Sequence, residues 1–381
     1  MSFSIAIGPR IRKSPFFDKT VAAGVSHFST YNHMYMPVSY GDPQAEYDRL
    51  VNHVEIRDVA VQRQVRLKGR DAMRLAQLLT PRNLEHLQIG KGVYMPICNN
   101  KGTLVNDPVL LRISDDELWL SIADNDTLMM AEGFVCALGL DVDASEPDVS
   151  PLSIQGPKSH HVARDLFGEA PLRLNYFGFY ETELQGIPLV VARSGWSKQG
   201  GYEFYLRDGT KGGQLWDIVM EAGKPYQMGP GAPNYIERVE SGMISVNADT
   251  DEHSNPYEMG LGVICDLDQE ANFIGKAALK KIKADGATRS FCGIFIDGAP
   301  FTSTNENPWP IYLDGAFAGY ATAAAYSPRM DKNISVCLMS NASIAAAADL
   351  IVETSYGTRN ATITSLPFLP PSTKVPSELL S

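Results

Sequence analysis

The sequence predicts an α+β protein of several domains, and three observations support this fold class. The chain has 381 residues, more than one hydrophobic core usually organises. Strand and helix patterns alternate through most of the chain in an order that occurs twice, whereas the C-terminal part has strand patterns alone. We therefore expect two α+β units, residues 1–145 and 146–288, then an all-β barrel or sandwich, residues 289–370, and a disordered tail, residues 371–381.

The first unit has a strand pattern over residues 63–69, where apolar and charged residues alternate. A helix follows from Asp71, and its apolar residues repeat at helical spacing on one face: Ala72, Leu75, Ala76 and Leu79. Two strand-like runs, residues 108–113 and 117–123, are separated by a polar turn. This order predicts a helix packed on antiparallel strands.

The second unit repeats this order. Its predicted strands cover residues 152–156, 187–195 and 201–209, and its predicted helices cover residues 158–168 and 212–223. The QGPK segment between the first strand and helix lacks the glycines and the GK[ST] ending of a phosphate loop. It therefore predicts a strand-to-helix turn.

The C-terminal part consists of short strand patterns separated by turn residues. Asp314-Gly315 is a hairpin signal of the kind found in two-residue turns between antiparallel strands. The proline- and serine-rich composition of residues 371–381 predicts the disordered tail.

Composition limits the partners of the chain. The formal net charge is −11 and the pI is about 5.2, so we expect no nucleic-acid partner, because an acidic surface repels phosphate. No apolar run approaches the roughly 20 residues that cross a bilayer, and the apolar start precedes basic residues, the reverse of a secretory signal. Five scattered cysteines and seven histidines show no ligand spacing, which predicts a cytoplasmic protein with reduced thiols and no metal. The oligomeric state stays open between a monomer and a homodimer.

Several segments occur in one order along the chain. They are MPVSY (36–40), IRDVA (56–60), KGRDAMRLAQLLTPRN (68–83), NNKGTLVNDPVLLRI (99–113), IQGPK (154–158), NPYEMGLG (255–262), NFIGKAAL (272–279), AGYATAAAYSP (318–328) and SLPF (365–368). In this order they resemble the aminomethyltransferase, or glycine-cleavage T-protein, family. The resemblance implies a three-domain ring with a C-terminal β-barrel and tetrahydrofolate in a central channel.

Other segments distinguish branches of that family. They are YNHM (31–34), TPRNLEHLQIGKGVYMP (80–96), RSGWSKQGGYE (193–203) and MGPGAPNYIERVESG (228–242). These resemble the dimethylsulfoniopropionate demethylases, whereas the T-protein has a TGxxGxE loop and two aspartates where this chain has Asn106 and Asp107. The resemblance implies methyl transfer from dimethylsulfoniopropionate to tetrahydrofolate, the methyl acceptor, giving 5-methyltetrahydrofolate and 3-(methylthio)propanoate.

Three alternatives stay open at this point. The chain could be an aminomethyltransferase of glycine cleavage, a demethylase of another methylated sulfonium or amine, or a folate-binding regulator without activity. Methyl transfer from a sulfonium is an in-line displacement with a neutral thioether leaving group, so the protein mainly has to desolvate and align two small molecules. Glycine cleavage releases an amine and needs a proton at the leaving group, which is a physical reason why a demethylase tolerates Asn106.

Two carboxylates are the first candidates for the site. The resemblance assigns Asp107 to orienting the folate or the sulfonium, although the sequence does not decide whether Asn106 or Asp107 faces inward, because neighbouring strand residues point in opposite directions. Glu203 matches the family's pterin-binding glutamate, and a carboxylate can accept two hydrogen bonds from the pterin edge. Nearby glycines, Gly195, Gly200 and Gly201, would let backbone approach the ring.

Aromatic residues are candidates for contact with a cationic donor. Trp196, Tyr205 and Tyr31 would each offer a ring face to a sulfonium, which stabilises a desolvated cation by about 1–2 kcal/mol; core packing is the structural alternative for each. Lys198 or Arg193 would hold a donor carboxylate, with a solvated loop charge as the alternative.

The remaining candidates concern folate. Arg238 matches an arginine of the family, so it would bind the folate glutamate or brace the channel, with a salt bridge to Glu237 or Glu240 as the structural alternative. Tyr94 and Tyr176 are candidates to pack on the folate rings.

Overall fold

The computed structural model describes residues 7–346 and 349–380. Residues 1–6, the start of the predicted first unit, and Ser381, the end of the predicted tail, lie outside the described residues. The helices are α1 (Phe17–Ala22), α2 (Pro43–Asn52), α3 (Ala72–Leu79), α4 (Thr127–Leu138), α5 (Ser159–Phe167), α6 (Gly212–Gly223), α7 (Tyr235–Glu240), α8 (Lys276–Asp285) and α9 (Asn341–Ala346). The strands of the first two thirds are β1 (His27–Tyr31), β2 (Met34–Ser39), β3 (Glu55–Asp58), β4 (Gln64–Lys68), β5 (Gly92–Tyr94), β6 (Ile97–Cys98), β7 (Leu104–Asn106), β8 (Val109–Arg112), β9 (Glu117–Ser121), β10 (Asp143–Ser145), β11 (Ser150–Gln155), β12 (Phe179–Leu184), β13 (Ile187–Ala192), β14 (Gly201–Leu206) and β15 (Gly229–Pro230). The remaining strands are β16 (Arg289–Ile296), β17 (Trp309–Leu313), β18 (Ala316–Ser327), β19 (Lys332–Ser340), β20 (Leu350–Thr354) and β21 (Gly357–Thr364).

The first sheet has five antiparallel strands in the order β10-β4-β9-β8-β5. Helices α3 and α4 cover one face, and the apolar stripe predicted for α3 is buried: Ala72, Leu75, Ala76 and Leu79. The strand and helix predictions for this region are confirmed, because alternation and helical spacing each place one apolar face against the same core.

The second sheet has six strands in the order β12-β13-β14-β11-β3-β15. Helices α5 and α6 pack on one face of it. Its strand β3 comes from early in the chain and pairs with β11, with Asp58 opposite Leu152. The predicted boundary at residue 145 therefore does not coincide with the division between the two sheets, because hydrogen-bond pairing over such a distance leaves no local sequence signal.

The two sheets meet through their other faces. Leu111 and Trp119 of the first sheet pack against Val190 and Tyr205 of the second. The edge strand β5 also continues toward the second unit, since the amide of Gly92 donates to the carbonyl of Phe177 at 2.7 Å. Side chains from both sheets are thus brought into one region.

The C-terminal domain is a closed barrel in the order β16-β19-β18-β17-β20-β21. The predicted hairpin turn is present between β17 and β18: both Asp314 and Gly315 have positive φ, 50° and 78°, as a type I′ turn requires. The predicted β domain is confirmed, and of the two alternatives, barrel and sandwich, the structure shows a barrel.

The C-terminal tail differs from the disordered segment that its composition predicts. The amide of Ser372 donates to the carbonyl of Lys198 at 2.6 Å, and the Arg193 guanidinium donates to the carbonyl of Thr373 at 2.7 Å. A short 3-10 helix, Ser377–Leu379, buries Leu379. Polar composition predicted disorder here because these contacts use backbone atoms, which composition does not report.

Within residues 7–346 and 349–380, no helix combines the length and the apolar character that crossing a membrane requires.

Candidate active site

The end of β7 places Asn106 and Asp107 in different surroundings. Asn106 is fully buried, and its side chain is held by backbone: Nδ2 donates to the carbonyl of Ala123 at 3.1 Å, and Oδ1 accepts from the amide of Ala123 at 3.0 Å. Asp107 instead accepts a hydrogen bond of 2.7 Å from the Tyr94 hydroxyl. Asn106 therefore fastens the strand, and Asp107 supplies the carboxyl group that chemistry could use.

Asp107 lies in a setting that favours its neutral form. The pKa of its carboxyl is raised to about 7, chiefly by burial and less by the charge of Asp249, while the Tyr94 hydrogen bond opposes the shift. Burial and then the charge of Asp107 raise the pKa of the Tyr31 phenol well above the usual range. Asp107 and Tyr94 are thus in direct contact, and the Asp107 carboxyl titrates near neutral pH.

Glu203 forms a second acidic position on β14. It is buried, and its Oε2 accepts hydrogen bonds from Ser194 Oγ at 2.5 Å and from the Tyr205 hydroxyl at 3.3 Å. Burial raises the pKa of this carboxyl, although both hydrogen bonds oppose the shift. Its Oε1 accepts no hydrogen bond from the described residues, so one oxygen is left for a ligand.

Tyr205 and Glu203 point to the same side of β14 because they are two residues apart. The Tyr205 ring is 1 % exposed and lies 6.4 Å from the Trp119 ring, centroid to centroid. Tyr205 is therefore packed in the core, with its hydroxyl donating to Glu203. Its ring has no open face for a cation.

Tyr176 contacts the loop that leads to Glu203. Burial and then the charge of Glu203 raise the pKa of its phenol to about 12. Its hydroxyl donates to the carbonyl of Gly195 at 3.4 Å, and its ring contacts that of Phe177 at 4.5 Å. The residue is 38 % exposed, so part of its surface is accessible.

The loop between β13 and β14 carries the two remaining donor candidates. Trp196 and Lys198 are each partly exposed. The carbonyl of Trp196 accepts a hydrogen bond from Arg57 Nη1 at 3.4 Å. Among the described residues, no acidic side chain pairs with Lys198, whereas Arg193 is used structurally, donating to the carbonyls of Leu174 and Thr373.

Arg238 makes a different ion pair from the two that the sequence suggested. It is buried and pairs with Asp249, not with Glu237 or Glu240. Asp249 Oδ1 also accepts from Thr322 Oγ1 of the barrel at 2.6 Å. Arg238 thus has the geometry of a brace between α7 and the barrel. Since Asp249 lies 11 residues further along the chain, helical spacing did not reveal it.

Sequence reasoning missed Gln155, which orders the loop. Its Nε2 donates to the carbonyl of Ser194 at 3.1 Å, and its Oε1 accepts from Ser197 Oγ at 2.7 Å. A Cβ at Gly195 would lie 1.9 Å from this amide, and one at Gly201 would lie 2.3 Å from it. These two glycines are therefore required by Gln155, not by a bound ring. The IQGPK segment, which predicts a turn and resembles a family motif, contains Gln155, but neither feature indicates that its side chain reaches the loop.

A buried ion pair was also missed. Arg57 donates to Glu55 Oε2 through Nε and Nη2, each at 3.0 Å, and both residues are buried. Because Arg57 also reaches the carbonyl of Trp196, the pair connects β3 to the loop. In the sequence, IRDVA contributes only to the order of segments, and nothing in it indicates that Arg57 pairs with Glu55.

These contacts define a site with two carboxyl groups at separate positions. Asp107 lies with Tyr94 on one side, and Glu203 lies with Tyr176 and the loop on the other. Backbone pairing connects them, because β5 continues onto Phe177, whose amide donates to the carbonyl of Arg193 at 2.8 Å. Within the described residues, no group of three or more His, Cys, Asp or Glu side chains is placed to hold a metal ion.

Comparison with known proteins defines the class to which this fold and site belong. The family model described as GCVT N-terminal domain matches residues 16–269, and that of the glycine cleavage T-protein C-terminal barrel domain matches residues 289–369. A crystal structure of the glycine cleavage system aminomethyltransferase T from Bartonella henselae superposes with a TM-score of 0.83 over 96 % of this chain and 99 % of that one, at 17 % identity. The chain belongs to the glycine cleavage T-protein, or aminomethyltransferase, family of enzymes.

Individual relatives differ in how similar they are. The dimethylsulfoniopropionate demethylase DmdA of Ruegeria pomeroyi is 38 % identical over 94 % of this chain and 98 % of its own length. An aminomethyltransferase of Listeria welshimeri is 28 % identical over 85 % of this chain and 88 % of its own length. Another, from Desulfitobacterium hafniense, is 26 % identical over 90 % of this chain and 94 % of its own length.

Proposed function

We propose that the protein is a tetrahydrofolate-dependent demethylase that transfers a methyl group from dimethylsulfoniopropionate to tetrahydrofolate. The products are 5-methyltetrahydrofolate and 3-(methylthio)propanoate. The observation that carries the proposal is the loop between β13 and β14, where Trp196 and Lys198 are partly exposed and lie close in sequence to Glu203, and no described acidic side chain pairs with Lys198. The 38 % identity to a dimethylsulfoniopropionate demethylase over nearly both full lengths supports the same donor.

Glu203 is the proposed anchor of the pterin. Its Oε2 is occupied by Ser194 and Tyr205, so Oε1 is the oxygen that can accept from the pterin's amino group and ring N–H. Donors from the ligand favour the ionised carboxylate over the neutral form that burial favours. Tyr176, partly exposed beside Glu203, supplies a ring surface for stacking.

The loop complements a zwitterionic donor. A sulfonium is a soft cation, and the Trp196 indole offers a face that stabilises it once water is excluded. The carboxylate at the other end of dimethylsulfoniopropionate requires a cation, and Lys198 is partly exposed and forms no ion pair with a described acidic side chain. A donor lacking the carboxylate would therefore bind less tightly than dimethylsulfoniopropionate.

Asp107 is the proposed acceptor of the single proton that the reaction releases. The N5 lone pair attacks the methyl carbon, the carbon–sulfur bond breaks, and its electron pair stays on the neutral thioether. The N5 atom, which carries a hydrogen, becomes cationic and must lose that proton. An ionised carboxyl with a pKa of about 7 suits this role near neutral pH.

A turnover assay with purified protein tests the proposal. Tetrahydrofolate is mixed with dimethylsulfoniopropionate, and 5-methyltetrahydrofolate and 3-(methylthio)propanoate are measured by mass spectrometry. We expect both products in equal amounts, with neither formed when one reactant is omitted. Tight folate binding without product would reject this donor, and parallel reactions with a methylated amine and with an aminomethyl-loaded lipoyl carrier protein would then identify the other family chemistries.

A further inference from the structure

We propose that Glu237 is a positioning residue that sets the place of the donor-binding loop. This inference rests on the proposed function, and it assigns Glu237 no contact with either substrate. Its Oε1 accepts three hydrogen bonds: from the amide of Lys198 at 2.9 Å, from Gln199 Nε2 at 3.0 Å and from Ser241 Oγ at 2.7 Å. Two of these three donors belong to the loop.

The local sequence would ordinarily employ this carboxylate within its own helix. Asn234 caps α7 by accepting from the amide of Glu237 at 3.0 Å, and a glutamate at this spacing commonly returns to the backbone N–H of the cap residue. In this structure the hydrogen bonds that Glu237 accepts come from the loop and from Ser241 instead. The capping pattern therefore places a carboxylate in the first turn of α7, where it accepts hydrogen bonds from the loop.

Burial makes this anchor costly to remove. Glu237 is 1 % exposed and Gln199 is 4 % exposed, and no Lys, Arg or His side chain pairs with Glu237 among the described residues. Three N–H and O–H donors hold the carboxyl group, so the loop donors and Glu237 depend on each other. If the carboxylate is removed, the Lys198 amide and the Gln199 side chain lose a buried partner.

Glu237 holds the part of the loop that carries the proposed donor-binding residues. Lys198 is itself one of the anchored residues, and Trp196 lies two positions before it. By contrast, Glu203 is held from the other end of the loop by Ser194. Loss of Glu237 should therefore disturb donor binding and alignment more than folate binding.

Three variants test this assignment. Glu237→Ala removes the acceptor, Glu237→Gln keeps an acceptor oxygen of the same reach, and Ser241→Ala removes only the donor that lies outside the loop. We expect Glu237→Ala to lower kcat/KM for the donor roughly 10–100-fold, the range that misalignment of reactants produces. The dissociation constant for tetrahydrofolate should change by less than about 3-fold, because the contacts of Glu203 remain.

Recovery of activity in Glu237→Gln and hydrogen exchange of the loop are two measurements that distinguish a positioning role from a general structural one. Glu237→Gln should recover most of the lost kcat/KM, and Ser241→Ala should resemble the wild type. Hydrogen exchange measured by mass spectrometry should be faster in the peptide spanning residues 194–200 of Glu237→Ala, a result independent of the donor's identity. If Glu237→Ala does not fold, Gln199→Met, which removes one loop donor, must show the same selective loss for the donor.

Several results would overturn the inference. Equal losses in donor kcat/KM and folate affinity would show a general packing role, and unchanged exchange in residues 194–200 would show that Glu237 does not hold the loop. A failure of Glu237→Gln to recover activity would also contradict it. Absence of turnover in the wild-type protein would instead reject the proposed function, and the exchange experiment would still decide the loop assignment.

Discussion

The Tyr94 hydroxyl donates a hydrogen bond of 2.7 Å to Asp107, and this contact opposes the rise in the pKa of the carboxyl that burial and Asp249 produce. Because the folded-state pKa is about 7, the ionised form is lost as the pH falls through neutrality. The proposed proton acceptor is therefore active on the alkaline side of this value.

We expect kcat/KM to rise with pH and to level off above about 7. Asp107→Asn cannot accept the proton, so its kcat/KM should fall by roughly 10²-fold or more and lose this pH dependence. Tyr94→Phe removes a contact that lowers the pKa, so the midpoint of its profile should move to higher pH. Steady-state rates from pH 5.5 to 9 check both; a Tyr94→Phe profile displaced to lower pH would contradict the assigned role.

Glu203→Ala should weaken tetrahydrofolate binding by roughly 10-fold or more, because a charged acceptor for the pterin N–H groups is lost. Ser194→Ala is the matched comparison: it removes the donor to Oε2 but leaves Oε1, and its effect should be smaller. Titration calorimetry with tetrahydrofolate measures both. Unchanged affinity in Glu203→Ala would remove this residue from the site.

Trp196→Ala should raise the KM for dimethylsulfoniopropionate by about 5–30-fold, which corresponds to about 1–2 kcal/mol of lost cation–π stabilisation. Trp196→Phe keeps an aromatic face and should lose less. Lys198→Met should raise the KM for the same donor but not for a sulfonium without a carboxylate. Equal effects of Trp196→Ala on donor and folate would indicate packing instead.

The junction between domains should depend strongly on Glu240. This fully buried carboxylate accepts from the Tyr47 hydroxyl at 2.6 Å and from Ser327 Oγ at 2.5 Å, and it pairs with Arg329. Glu240→Gln should lower the free energy of unfolding by about 2–4 kcal/mol, below the full cost of breaking a buried pair because Arg329 is partly exposed. Chemical denaturation measures the loss, and a double variant with Arg329→Met should recover part of it.

The sequence predicted those parts of the fold that depend on local periodicity. The stripe on α3 and the Asp314-Gly315 turn are both present, because helical spacing and turn chemistry are decided by neighbours in the chain. The resemblance of the ordered segments to the T-protein family predicted the barrel. The strand patterns alone did not distinguish a barrel from a sandwich.

The candidate site was less accessible to such reasoning. Asn106 and Asp107 have similar sequence contexts. Only the structure shows that the Asn106 side chain is hydrogen-bonded to the backbone of Ala123. Arg238 pairs with Asp249 and not with a helical neighbour, while Gln155 and Glu237 bind loop atoms far away in sequence. These roles follow from tertiary contacts that residue type and spacing do not encode.

Strand β3 has a consequence for synthesis of the chain on the ribosome. It lies between β11 and β15, so the second sheet is incomplete until Gly229 and Pro230 have been made. At 5–20 residues per second, translation of the intervening stretch takes roughly 10–35 s. Glu55 and Arg57, which end fully buried, can pair with β11 once residue 155 has been made, but the β15 side of their strand stays open until residue 230. Slow translation before residue 230 would therefore prolong an aggregation-prone, half-built state, and chaperone dependence of the yield should follow from it.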